Sequence, residues 1–197
     1  MNYIFKLERY NRYLFCSIAL SFLFFPQANA FDAESYALIY SSFEGKKREI
    51  YTIDLVEKKK TKLTSFTLAD GYPVISPSGT QIAFYGKYDS YKTWSIHSAN
   101  VDGSHVVRLT KDANVWDAAP SWSPDGQHIL FSRNKKNEDG STNEEIWIMN
   151  ADGSEQKQIQ GLSGGGASFM PDGRIVFHSK TGSSEISIAN RDGSNII

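Results

Sequence analysis

The prolines at positions 77, 124 and 171 stand 47 residues apart, each in the same local setting. Around them read PVISPSGTQIAFYGK, PSWSPDGQHILFSRN and ASFMPDGRIVFHSK. Downstream of each lies a second shared stretch: IHSANVDGS (96–104), IWIMNADGS (146–154) and ISIANRDGS (186–194). A degenerate copy precedes them, in which YALIYSS (36–42) matches the segment after the proline turn and IYTIDL (50–55) matches the second stretch. A period of this length means stacked supersecondary units, none of which can bury its apolar surface alone.

Each unit has a physical reading. In Ser123-Pro124-Asp125-Gly126 the proline pre-sets φ and the glycine takes the left-handed conformation that closes a hairpin. The turn joins short strands at 120–123 and 128–132. After a polar loop come a third strand at 145–150, an Asn150-Ala151-Asp152-Gly153 turn and a fourth strand at 156–159. Four antiparallel strands in such a period make one propeller blade. The alternating pairs Ile82/Phe84, Ile129/Phe131 and Ile175/Phe177 are expected between blades. Trp94, Trp122, Trp147 and Phe169 are expected to fill them. No helical period appears beyond the N-terminal segment.

The fold class expected is therefore all-β, a propeller of about four incomplete four-stranded blades forming part of a larger propeller. The blades are placed at about 31–65, 66–112, 113–161 and 162–197. The first copy lacks an innermost strand, and the last reaches RDGSNII where its fourth strand should begin. An open arc with uncovered apolar faces follows, and with it self-association through the open blade edges.

The first thirty residues read differently. Lys6, Arg9 and Arg12 precede the apolar run LFCSIALSFLFF (14–25), and Ala28-Asn29-Ala30 gives a small-x-small cleavage site. This is a secretory signal peptide (1–30) cut after Ala30, its apolar run shorter than the roughly 20 residues a spanning helix needs. The only cysteine, Cys16, leaves with it, and no transmembrane span remains. Cleavage removes Lys6, Arg9, Arg12 and Glu8, taking the net charge from −1 to −3. A periplasmic or secreted, disulfide-free protein is expected. Without a clustered basic face no nucleic-acid partner is expected, and Lys58-Lys59-Lys60 with Lys62 reads as a solvated hairpin tip.

The search for chemistry leaves little. His97, His105, His128 and His178 lack metal-ligand spacing and read as solvent-facing or capping. GLSGGGAS (161–168) lacks the Lys-Ser/Thr of a phosphate loop and reads as flexible turn chemistry. There is no Gly-x-Ser-x-Gly elbow, and the Asp-Gly-Ser copies lack the carboxylate series of a calcium loop. No catalytic residue, cofactor or metal site is expected. One constellation stands out: counting back seven from each turn proline gives Asp70, Asp117 and Gly164. With Tyr72 and Trp116, Asp70 and Asp117 make a candidate partner-binding rim at the mouth of the central channel, suited to a peptide or a cationic side chain. Alternatively, each aspartate satisfies backbone amides in its own connection.

The strand-SPDG-strand pattern, the N-x-DGS stretches and the endings Lys62-Leu63-Thr64 and Arg108-Leu109-Thr110 resemble the WD-like propeller repeats of TolB-type proteins over residues 36–197. The resemblance implies a periplasmic propeller that binds proteins. The family's N-terminal α/β domain has no counterpart here, and its propeller usually has more blades than these four copies. The repeats also resemble propeller domains of prolyl oligopeptidase-type peptidases and some polysaccharide lyases, so the likeness speaks for fold more than activity. The function expected is a non-catalytic exported module that binds a protein or peptide of the cell envelope. The alternatives are the propeller part of an exported hydrolase or lyase whose catalytic region lies outside this sequence, or a truncated gene product.

Overall fold

The computed structural model describes residues 21–22, 37–65, 69–87, 93–180 and 185–197. The expected signal peptide and its cleavage site lie outside the described residues, apart from 21–22. The turns show why the repeat recurs. Asp125 Oδ1 accepts from the Ser123 hydroxyl and from Gln127 N, Ser123 Oγ accepts from His128 N, and Gly126 at φ 70° donates to Ser123 O. The Asn-x-Asp-Gly-Ser turns repeat a second closed network. In each, the serine donates its N–H and hydroxyl to the aspartate, and the asparagine amide donates to the serine hydroxyl. Such side-chain capture of backbone groups fixes a turn before any tertiary contact forms.

Between these turns run the strands. The first blade holds β1 (Ser21–Phe22), β2 (Ala37–Glu44), β3 (Lys47–Asp54) and β4 (Lys60–Lys62). The second holds β5 (Ala69–Ile75), β6 (Gln81–Lys87), β7 (Ser95–Asn100) and β8 (Val107–Arg108). The third holds β9 (Val115–Trp122), β10 (His128–Lys136), β11 (Thr142–Asn150) and the start of β12 (Lys157–Phe169). The rest of β12, β13 (Ile175–Ser179) and β14 (Glu185–Ala189) make the fourth, where Ile197 exchanges both backbone hydrogen bonds with Ile188. Pairing is antiparallel except for one parallel bridge, Arg48 to Ala69, between β3 and β5. The described residues contain no helix.

The two-residue strand β1 pairs with β2 from within the expected signal peptide (1–30), so among the described residues the first blade of the chain after Ala30 has β2, β3 and β4. One expectation changes. The stretch GLSGGGAS is not a flexible turn but part of β12, which leaves β11, crosses the expected 161/162 boundary and pairs with β13. Gly161, Gly164 and Gly166, all at positive φ, supply the kinks that let one strand serve two blades.

The core lies between blades, as the alternating pairs predict. Ile82 and Phe84 pack with Ile39 and Ile50 of the first blade, Ile129 and Phe131 with Ala83 and Ile96 of the second, and Ile175 and Phe177 with Leu130 and Ile146 of the third. Trp122 is buried and the rings of Trp94, Trp147 and Phe169 pack on these clusters. The turn glycines lock each blade to its predecessor. A Cβ on Gly103 would lie 2.5 Å from Leu63 O, and one on Gly193 would run into Gln160 O. Among the described residues, substantial strand contacts from one blade to another join successive blades. On the far face of the fourth blade, Ile186 is 71% exposed, whereas the corresponding Ile146 of the third is fully buried.

Candidate functional site

The rim is built where the inner strands begin. β5 and β9 each carry a bulge two residues past the aspartate, with Tyr72 at φ 48° and Ala119 at φ 52°, and β12 repeats it at Gly166. The left-handed residue lets each strand turn from its entrance into the ladder. Across to the second strand of each blade, the pairs are Asp70 with Gly86, Asp117 with Arg133 and Gly164 with Ser179.

Those pairs decide what each position does. Asp117 and Arg133 are both buried, and their side chains form a two-point ion pair, Nε to Oδ1 at 2.8 Å and Nη2 to Oδ2 at 2.9 Å. Matching the fork of the guanidinium to both carboxylate oxygens makes this the strong form of the interaction. Arg133 also lies 4.2 Å above the Trp147 ring. Asp70 is equally buried but faces a glycine, and neither carboxylate oxygen has a hydrogen-bond partner among the described residues. Burial pushes its carboxyl up from 3.8 to about 7; the Glu49 charge adds to the rise, while Thr64 and Arg48 oppose it. Among the described residues neither side chain accepts from an amide of its own connection. At the third position a Cβ on Gly164 would run into His178 O, so no aspartate fits there.

Above the carboxylates the side chains are aromatic. Arg48 of β3 donates from Nε to Asp70 O at 2.9 Å and from Nη2 to the Tyr85 hydroxyl. Its guanidinium lies 5.1 Å from the Tyr85 ring and 5.9 Å from the Tyr72 ring. The rings then continue as one file. Tyr72 stacks on Tyr85 at 5.3 Å, Trp94 meets Tyr85 edge-on at 5.0 Å, and Trp116 stacks on Trp94 at 6.1 Å. Tyr72 is 37% and Trp116 49% exposed, so the file ends in open aromatic faces.

The structure thus brings Tyr72 and Trp116 into one surface and places Asp70 and Asp117 beneath it, out of solvent. Sequence reasoning missed Arg48, Tyr85, Trp94 and Arg133 as rim components. One signal was available: Gly86 and Arg133 each stand nine residues after a turn proline, as the aspartates stand seven before. His97, expected to face solvent or cap, is instead buried against Phe84 with Nδ1 3.0 Å from Ser95 O, and burial lowers its pKa to about 4. Among the described residues no three His, Cys, Asp or Glu side chains gather to hold a metal ion.

Comparison with known proteins fits this architecture. Residues 26–196 match the family model of the TolB beta propeller domain. TolB from Acinetobacter baumannii superposes with a TM-score of 0.64 at 22% identity, covering 84% of this chain and 40% of that one. A TolB from Agrobacterium tumefaciens gives 0.65 at 23% identity, covering 84% and 61%. An oligogalacturonate lyase in complex with manganese gives 0.62 at 15% identity, covering 84% and 50%. The chain therefore spans less than two thirds of the length of these proteins, and the shared property is the fold.

Proposed function

The chain belongs to the TolB beta propeller domain family, and from that premise we propose a non-catalytic, exported module that binds a protein or peptide of the periplasm through its aromatic rim. The observation that carries the reading is the open file of rings ending at Tyr72 and Trp116. Large, rigid aromatics bury much area for little conformational entropy and dominate binding energy at protein interfaces. The outer face of Trp116 suits a cationic side chain or another flat group, as Arg133 on Trp147 illustrates within the chain itself. Asp117 acts from below, its ion pair with Arg133 fixing the strand that presents Trp116, while Asp70 lies buried beneath Tyr72. Export rests on the charged, apolar and small-residue segments of the first thirty residues.

A second reading, the propeller of an exported enzyme, is supported by the likeness in fold to the oligogalacturonate lyase. One experiment bears on the first reading. The full chain and its Tyr72→Ala/Trp116→Ala variant are immobilised and exposed to envelope extract. Recovery of a specific partner should fall by about tenfold or more in the variant, the scale of losing one or two interface anchors, and should be unchanged by Phe43→Ala, a change at an exposed ring outside the file. Equal recovery with both rim rings removed, at unchanged melting temperature, overturns the proposal.

A further inference from the structure

We infer that the cleft between the third and fourth blades, at the turn end of the strands and away from the aromatic rim, is a binding site for a small organic anion with a compact apolar body. The cleft has a volume of about 760 Å³, a size typical of small-molecule sites. It exists because the fourth repeat departs from the others in two places. In the second and third blades the residue after the turn asparagine is apolar and plugs the junction with the preceding blade: Val101 packs on one core cluster and Ala151 on the next. Their backbones are tied down, Val101 N donating to Thr80 O at 3.0 Å and Ala151 N to Gln127 O at 2.9 Å. In the fourth blade that residue is Arg191. The proline turn there is also one residue shorter, with Ile175 two residues past Gly173 where Ile129 lies three past Gly126. Arg174 O stands where His128 O does, accepting from Met170 N as His128 O accepts from Ser123 N, and the shorter turn leaves no counterpart of Gln127 to hold the backbone of residue 191. The plug and its tether are both replaced, and the junction stays open.

The lining has a consistent chemistry. Ile148, Met149 and Ile159 supply an apolar floor, and His128, Lys157 and Arg191 supply cationic or donor groups around it. The carboxylates at the cleft are mostly engaged in their own turns. Asp172 pairs with Arg174 at 2.8 Å, Asp192 accepts from the Ser194 hydroxyl and N–H, and nearby Asp125 accepts from Ser123 and Gln127. Glu155 stands exposed on the lining. His128 Nδ1 is buried without a hydrogen-bond partner among the described residues, an unmet polar atom beside the gap. Burial lowers the His128 pKa first, and Arg191 and Lys157 lower it further while Asp125 opposes them, so both cations lie within reach of the imidazole's field. A carboxylate or phosphate placed among them would meet two cations and an imidazole, with its apolar part over the floor.

The test uses methyl and amide NMR on the full chain with two probes of one shape, 4-phenylbutyrate and its neutral amide. The acid should shift Ile148, Met149 and Ile159 saturably, and the amide should bind about fivefold or more weakly, since only the acid makes charge-assisted hydrogen bonds. Arg191→Ala restores the residue type of Ala151 and leaves the fold intact. Together with Lys157→Ala it should weaken the acid by about tenfold, which corresponds to about 1.4 kcal/mol, without moving resonances of the aromatic rim. Equal affinity for acid and amide, shifts centred on the exposed Ile186 instead, or no saturation by about 10 mM, a concentration far above that of a specific site, would each overturn the assignment.

Discussion

The second and third blades carry the same aspartate at the same place and treat it in opposite ways. Asp117 meets Arg133 across the ladder in a two-point ion pair. Asp70 meets Gly86, so close that a Cβ on that glycine would lie 2.5 Å from Oδ1. One blade compensates a buried charge with a buried counter-charge, and the other leaves a carboxyl that holds its proton close to neutrality. The cation near Asp70 is Arg48, borrowed from the first blade, and it spends its hydrogen bonds on Asp70 O and Tyr85. The difference teaches that the repeat transmits backbone geometry faithfully, while the electrostatics of each blade is set by single residues.

The contrast is broken most sharply at Arg133. Arg133→Ala leaves Asp117 buried and unpaired, which costs about 3–5 kcal/mol. Urea unfolding at neutral pH measures it, and a loss below about 1 kcal/mol would mean that the pair behaves like a surface bridge. Arg133→Lys should recover part of the loss, since one point of the fork survives.

At Asp70 the effect is smaller and has a sign. The folded state keeps the proton up to about pH 7, while the ordinary carboxyl gives it up near 3.8. Between those values the folded chain binds the extra proton, so stability falls as pH rises through the window and is level above it. Asp70→Asn removes this term and should gain on the parent by about 3 kcal/mol between pH 4 and pH 8. Asp102, Asp152 and Asp192, held low first by their serine hydroxyls, shift the other way. The readout is therefore the difference between the two unfolding curves, and parallel curves would show that Asp70 stays ionised.

The smallest effect sharpens the comparison instead of breaking it. Gly86→Arg copies the third blade into the second, because Gly86 does not require a positive φ and the Asp70 carboxylate can move away from a new Cβ. Above pH 7 the variant should be more stable by about 1 kcal/mol, the net worth of a charge-assisted pair after its desolvation. Its pH dependence should flatten in the same measurement; an unchanged slope would show that the new guanidinium does not reach Asp70.

Much of the fold was legible. The prolines at 77, 124 and 171 set the blade period, and the Ile/Phe pairs named the faces that the blades bury. Single residues explain what was not. Glycine-rich 161–168 looked like a turn because its composition is turn-like, yet its glycines serve a strand that kinks between two blades. The Asn137–Ser141 loop holds a further copy of the Asn-x-Asp-Gly-Ser network within the β10–β11 hairpin, readable in the sequence as NEDGS but hidden by its place outside the period. Asp70 and Asp117 were found by spacing, but spacing along one strand does not show what stands across the ladder, and that neighbour fixes burial, charge and role. The aromatic file was missed for the same reason, since its members come from β5, β6, β9 and the entrance to β7.

The turn glycines have a consequence for how the molecule comes apart. Because Gly103, Gly153 and Gly193 each press on the last strand of the blade before, every junction is a local event involving two neighbours. Free energy then adds from blade to blade like the links of a one-dimensional chain, and partial opening begins at the least tightly filled junction. The junction of the third and fourth blades, which holds the open cleft, is the place where amide protons exchange first, before the second and third blades let go of each other.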